Sequence, residues 1–335
     1  MAQPLIGGKN MYYLGIDVGS VSTDFVIMDQ EKKILSQIYL KTKGNPIEAV
    51  KEGLRQLGKE YKNSEISGVG TTGSGRTLAA AVTGADVVKN EITAHGVASA
   101  TFDPEIRTII EIGGQDSKII LLNEGVITDF AMNTVCAAGT GSFLDRQAER
   151  LGLEIGELGD YALQSGNPVR IAGRCAVFAE SDIIHKQQLG CTMEDIIAGM
   201  SKALVRNYLS NVAKGKEILP KVCFQGGVAS NGGIRRALEE ALECEILVPE
   251  YHKVMGAFGS AVLAQEFMEA ENGKIAKKTH FLGFEVGHDD IKTETFECAD
   301  CSNHCEVVLL RTGERQIGCF SDRCGKYQSH VKPHE

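Results

Sequence analysis

Residues 108–133 read TIIEIGGQDSKIILLNEGVITDFAMN. Two apolar, β-branched runs flank a Gly-Gly-Gln-Asp turn, and a third extended run follows Asn-Glu-Gly. Such runs, bounded by Gly and Asp, predict strands, and the short gap between the first two predicts a hairpin. The same plan stands near the N-terminus. YYLGIDVGS (12–20), TDFVIMD (23–29) and ILSQIYLKT (34–42) again read as strand, Gly turn, strand, strand. This internal echo predicts an α/β protein of two similar subdomains, each opening on a hairpin whose turn carries an aspartate, Asp17 or Asp116.

Helices fill the intervals. NPIEAVKEGLRQLGKEYK has helical spacing, with Asn45 as N-cap and Pro46 at the first helical position. CTMEDIIAGMSKALVRNYLSNVAKG predicts a long helix capped by Thr192, with Asp195 three residues on. KVCFQGGVASNGGIRRALEEAL reads as strand, Gly-rich turn and helix, and MGAFGSAVLAQEFMEA as a closing helix. From about Glu271 a polar linker leads into a cysteine-dense tail. The expected organisation is a tail at 1–10, subdomain I at 11–100 completed by about 246–270, subdomain II at 101–245, and a Cys-rich extension at 271–335.

Bulk composition excludes several classes. A net charge of −9 over 335 residues argues against nucleic acid as partner, since a polyanion needs clustered Lys and Arg. No run of about 18 apolar residues exists to span a membrane, and the first ten residues lack the apolar core of a secretion signal. The expected location is cytoplasmic. There, ten cysteines point to metal ligands or redox thiols rather than disulfides.

Two turn-borne carboxylates, Asp17 and Asp116, suit a hydrated Mg²⁺ held against nucleotide phosphates, because Mg²⁺ keeps waters and takes few protein ligands. Amides and hydroxyls of Gly19, Ser20, Ser22 and Thr23, with Val21 and Asp24 beside them, can cradle phosphate on one side; Gly113, Gly114 and Gln115 can do so on the other. QGGVASNGG (225–233) allows close backbone approach to a base or ribose, giving Gly226, Gly227, Ser230 and Asn231 as candidates, with Lys253 nearby. The three motifs in this order resemble the ATP-binding core shared by actin, Hsp70 chaperones and sugar kinases. That resemblance implies paired ribonuclease-H-like subdomains that clamp ATP or ADP. GVGTTGSG (68–75) matches G-x-G-x-x-G but lacks the acidic residue about 20 positions on that a dinucleotide site needs, so it is set aside.

Cys136 in NTVCAAGTGSF and Cys175 in IAGRCAVFAESD each precede an expected helix. A helix N-terminus favours the thiolate, the form that ligates metal. A [4Fe–4S] cluster with four thiolates is a net anion, which two helix ends would stabilise. Each chain supplies two thiols, so a two-fold homodimer completes the set. Cys191, Cys223 and Cys244 read as packing residues.

Together LGIDVGS, EIGGQD, CAAGTGSFLD, CAVFAESD and GGVASNGG resemble the 2-hydroxyacyl-CoA dehydratase activators, or archerases, a type that also serves benzoyl-CoA reductases and double-cubane cluster proteins. The resemblance spans about Tyr12 to Phe267. It implies a homodimer bridged by one [4Fe–4S] cluster, ATP hydrolysis coupled to electron transfer, a ferredoxin or flavodoxin donor, and an iron–sulfur protein as acceptor. It further implies that Cys136 and Cys175 are cluster ligands, that Asp17 and Asp116 hold Mg²⁺, that Gln115 helps place the attacking water, and that Glu91 shapes the inter-subdomain connection. Asp24 departs from the pattern, standing where related sequences carry a lysine. The alternative reading is a small-molecule kinase of the sugar-kinase superfamily.

The tail supplies Cys298, Cys301 and Cys305 in C-x2-C-x3-C spacing, then Cys319 and Cys324. This spacing suits a metal, either Zn²⁺ or a further cluster. The set Cys298, Cys301, Cys305 and Cys324 resembles one in long, fused activators, leaving Cys319 spare.

Overall fold

The computed structural model describes residues 11–133, 136–269 and 277–327; the expected tail at 1–10 lies outside them. The chain divides into two compact units. One is Met1–Ala98 with Gly256–Glu335; the other is Ser99–Met255.

In the first unit, β1 (Tyr12–Val18), β2 (Ser22–Met28), β3 (Ile34–Lys41), β4 (Ile66–Thr72) and β5 (Val87–Val88) form a sheet of order β3-β2-β1-β4-β5. Strands β1, β2 and β3 pair antiparallel, and β4 pairs parallel with β1 and β5. Helix α1 (Pro46–Leu57) starts where Asn45 Oδ1 accepts from Glu48 N at 3.1 Å. Helices α2 (Arg76–Thr83) and α3 (Glu91–Phe102) follow, the chain passing into the second unit within α3.

The second unit repeats the sheet. Strands β6 (Thr108–Ile112), β7 (Ser117–Asn123), β8 (Val126–Asn133), β9 (Val222–Gln225) and β10 (Ile246–Leu247) take the order β10-β9-β6-β7-β8, with the same antiparallel and parallel pairings. The echo read from the sequence is thus a duplicated sheet. Helices α4 (Gly141–Leu151), α5 (Glu157–Gln164), α6 (Ala176–Gln188), α7 (Met193–Asn211) and α8 (Gly232–Leu242) belong to this unit. Thr192 Oγ1 caps α7 by accepting from Asp195 N, as its sequence predicts.

Helix α9 (Met255–Met268) returns the chain to the first unit and lies against β1 and β4. Its approach depends on glycine: a Cβ at Gly15 would sit 1.8 Å from Ala257 O, and one at Gly70 would sit 2.0 Å from Ser260 O. The G-x-G-x-x-G match at Gly68, Gly70 and Gly73 therefore serves packing in this strand and its turn. Strands β11 (Ile291–Glu297), β12 (Glu306–Thr312) and β13 (Arg315–Phe320) form a separate antiparallel sheet in the first unit. Phe284, Val286, Leu310 and Ile317 from this extension are buried in one core with Leu54, Leu57 and Val82. The boundary expected near Glu271 falls in 270–276, outside the described residues.

Candidate functional site

In the first unit the β1–β2 ladder runs through Val18 and Thr23, so Asp17 lies one residue inside β1 rather than in the turn its sequence suggested. Its carboxylate fills a niche kept open by two glycines. A Cβ at Gly73 (φ +86°) would stand 2.3 Å from Asp17 Oδ1, and one at Gly256 would stand 2.0 Å from Oδ2. Asp24 is opposite Asp17 in the ladder, buried, and accepts from Ser22 Oγ at 3.2 Å. Residues directly opposite in an antiparallel pair share a face, and like charges there repel. The turn itself is held by Gly19 N to Ser22 O at 2.8 Å and by Thr42 Oγ1 to Gly19 O at 2.9 Å. Thr23 Oγ1 also meets Thr42 Oγ1, which leaves Ser20 exposed and Val21 half-buried at the tip.

The β6–β7 hairpin carries a charge cluster that the motif reading overlooked. Lys118 Nζ, 2% exposed at its side chain, pairs with Glu111 Oε2 at 2.8 Å and Asp116 Oδ1 at 2.9 Å. Glu111 and Lys118 are register partners across the hairpin. A buried cation satisfied by two carboxylates fixes the orientation of Asp116, since an unpaired charge in the interior is costly. Gln115 is exposed at the tip beside Gly113 and Gly114.

Gly226 takes φ +91°, and a Cβ there would meet Glu111 Oε1 at 2.6 Å. Gly227 opens a short 3₁₀ turn, and Asn231 Oδ1 caps α8 by accepting from Ile234 N. Ser230 Oγ lies 2.9 Å from His252 Nε2, and His252 Nδ1 lies 3.0 Å from Pro249 O. Nδ1 must donate to that carbonyl, so in the neutral ring Nε2 accepts from Ser230. Burial holds His252 below the usual imidazole value, which favours that neutral form. Lys253 is exposed next to it.

Cys136 and Cys175 are both half-buried, and both begin a helical segment. Cys175 is the N-cap of α6, whereas Cys136 heads a 3₁₀ turn, Ala137–Gly139, before α4. Asn133 clamps Cys136 from both sides: Oδ1 accepts from Cys136 N at 2.9 Å, and Nδ2 donates to Cys136 O at 2.8 Å. From α7, Asn207 Nδ2 reaches Cys136 Sγ at 3.9 Å, Gly173 O at 2.8 Å and Arg174 O at 3.2 Å. One amide side chain therefore ties together the two loops that bear the thiols. The first amides of α4 are spent elsewhere. Gly141 N donates to Gly113 O and Ser142 N to Gly114 O, each at 2.8 Å, and Ser142 Oγ also donates to Gly114 O at 2.5 Å. The glycine turn after Cys136 thus grips the Gly113–Gly114 turn instead of opening toward an anion.

Next to Cys175, a cavity of about 860 Å³ is lined by Arg170, Arg174, Arg206, His185, Lys186 and Phe178, among others. Burial and the neighbouring Arg170 lower the Arg206 pKa, a sign of crowded positive charge. Val177 and Phe178, directly after Cys175, are 68% and 67% exposed. Cys223 is wholly buried and its thiol is pushed up to about 12 by burial; Cys191 and Cys244 pack against the hydrophobic core of the second unit. In the extension Cys298 and Cys319 are buried, Cys305 half-buried, and Cys301 and Cys324 exposed. Among the described residues, no three His, Cys, Asp or Glu side chains stand together closely enough to hold a metal ion. No described helix is long and apolar enough to cross a membrane.

Residues 14–264 match the model of the BadF/BadG/BcrA/BcrD ATPase family, and the chain belongs to that family. It is 34% identical over 258 residues to the (R)-2-hydroxyglutaryl-CoA dehydratase activating ATPase of Acidaminococcus fermentans, covering 76% of this chain and 97% of the relative. It is 36% identical over 267 residues to the 2-hydroxyisocaproyl-CoA dehydratase activator of Clostridioides difficile, covering 79% and 98%. The solved activator of the Clostridium difficile 2-hydroxyisocaproyl-CoA dehydratase with bound ADPNP superposes with a TM-score of 0.71 at 33% identity, covering 80% of this chain and all of that one. The fold is therefore the duplicated actin/Hsp70/sugar-kinase type, and the chain is ATP-binding. The small-molecule kinase alternative gains no support from these relatives.

Proposed function

We propose that this chain is an ATP-driven one-electron donor that activates an iron–sulfur enzyme, either a 2-hydroxyacyl-CoA dehydratase or a double-cubane cluster protein. The observation that carries this reading is the junction at Asn207, which holds the Cys136 and Cys175 loops together in a chain similar to dehydratase activators. Two thiols at the starts of helical segments fit half of a [4Fe–4S] ligand set. A second copy related by a two-fold axis supplies the other half, and the exposed Val177 and Phe178 offer it an apolar seat. When bound, the cluster supplies a one-electron carrier.

The protein's own residues do the rest. The turn at Gly19, Ser20 and Ser22, and that at Gly113, Gly114 and Gln115, receive the phosphates, whereas Thr23 is buried against Thr42. Asp17 and Asp116 are the carboxylates suited to hold Mg²⁺ through water, since that ion keeps most of its waters and takes few protein ligands. Gln115, exposed on its turn, orients the attacking water. Nucleotide state reaches the thiols through Gly113–Gly114, which are bonded to Gly141 and Ser142 just after Cys136. The basic cavity beside Cys175 suits an acidic donor such as ferredoxin or flavodoxin.

The test is anaerobic purification of wild type and Cys136→Ser with iron analysis and absorbance near 400 nm. Wild type should hold about four iron atoms per two chains. The variant should lose iron and reductant-dependent turnover while still binding ATP. Undiminished iron and activity in Cys136→Ser would remove the assignment.

A further inference from the structure

The cysteine-rich end of the β11–β13 sheet lies beyond the residues matched by the family model and plays no part in the reading above. The hairpin brings two of its cysteines together. Cys298 N donates to Cys305 O at 2.8 Å, so these two residues close the same end of β11 and β12. Between them, His304 N donates to Cys301 O at 3.3 Å and His304 takes φ +44°, a tight turn that keeps Cys301 at this end of the sheet.

The segment after β13 folds over this end. Tyr327 N donates to Asp322 Oδ2 at 2.8 Å, and the Tyr327 ring packs on Phe296 with centroids 5.2 Å apart. Lys326 Nζ pairs with Asp300 and lies within electrostatic reach of both Cys298 and Cys324. The Lys326–Asp300 pair, each partner two residues from one of these cysteines, places Cys324 at the same end as Cys298.

We propose that Cys298, Cys301, Cys305 and Cys324 bind a structural Zn²⁺ with four thiolate ligands. The sheet end needs such a staple. The fully buried members of its core are Val307 and two cysteines, Cys298 and Cys319, with Phe296, Leu309 and Tyr327 only partly covered. A small element with so little apolar filling commonly gains its stability from a metal or a crosslink. Four thiolates around Zn²⁺ carry a net negative charge, and the ammonium of Lys326 is the kind of outer partner that steadies it. Cys298 Sγ donates to Asp300 Oδ2 at 3.5 Å, and metal binding replaces that proton. Closure requires Cys301 and Cys324 to turn inward, which exposed side chains do freely. His304 is committed to Glu297 at 2.7 Å and is not a ligand, while Cys319, opposite Leu309, serves as packing in the buried cluster that also holds Cys298.

The experiment uses the full chain carrying Cys136→Ser and Cys175→Ser, which removes the other pair of thiols. Metal analysis should find about one zinc per chain, and X-ray absorption should find four sulfur neighbours at about 2.3 Å. Adding Cys301→Ser and Cys324→Ser, both at exposed positions, should bring zinc to background and lower the melting temperature while ATP binding stays unchanged. Zinc that survives those substitutions overturns the proposal. So does iron lost in place of zinc, and so does a metal-free chain whose four thiols titrate freely.

Discussion

Lys118 has the most to lose among single residues. It is an ammonium almost without solvent, held by Glu111 and Asp116. Lys118→Met takes the ammonium from the buried Glu111 carboxylate and the part-exposed Asp116, which should cost about 3–5 kcal/mol. Urea unfolding should show it as a lowered midpoint, and adding Glu111→Gln should recover part of the loss. An unchanged midpoint in Lys118→Met would mean that the pair is solvated and the argument wrong. The sequence did carry a hint of this cluster: Glu111 and Lys118 are lone charges inside the apolar strands TIIEI and SKIILLN. Motif matching passed over them because it attends to the turn and not to its flanks. Asn207 gave no such hint, since one asparagine in a long helix is ordinary until the fold shows which loops it meets.

At the level of elements, the hairpins and caps were legible because their signals are local. Alternating apolar runs, Gly-Asp turns, Asn45 and Thr192 all act within a few residues of themselves. What the helix after Cys136 does with its first amides was not legible, because Gly113 and Gly114 lie far back in the chain. That contact joins the Gly113–Gly114 turn to the loop after Cys136, and Ser142 contributes its side chain as well as its amide. Ser142→Ala removes one hydrogen bond worth about 1 kcal/mol and leaves both Gly141 and Ser142 amides in place. ATP hydrolysis by the isolated protein should survive within about twofold, a smaller change than that energy would give if it acted directly on the chemical step. The ATP-stimulated electron transfer to an acceptor should fall by about fivefold, following the lost coupling energy. Equal losses in both assays would show that Ser142 supports the nucleotide turn and not the coupling.

For the whole molecule, the composition change near Glu271 suggested an appendage, yet Phe284, Val286, Leu310 and Ile317 complete the core of the first unit. Burying each such side chain is worth roughly 1.5–3 kcal/mol, and a typical domain has only about 5–15 kcal/mol in total. A chain ending at residue 269 should therefore aggregate or melt far below the full chain, as light scattering and calorimetry would register. A truncated protein with the full-length melting temperature would make the extension a true appendage. In the other unit, α7 supplies Asn207, which grasps both thiol loops from a helix whose own side chains are mostly interior. Whatever tilts that helix moves the two sulfur atoms in step, so their spacing is kept while their position shifts. On the proposed function, a cluster gripped there would keep both of this chain's sulfurs as the helix moves.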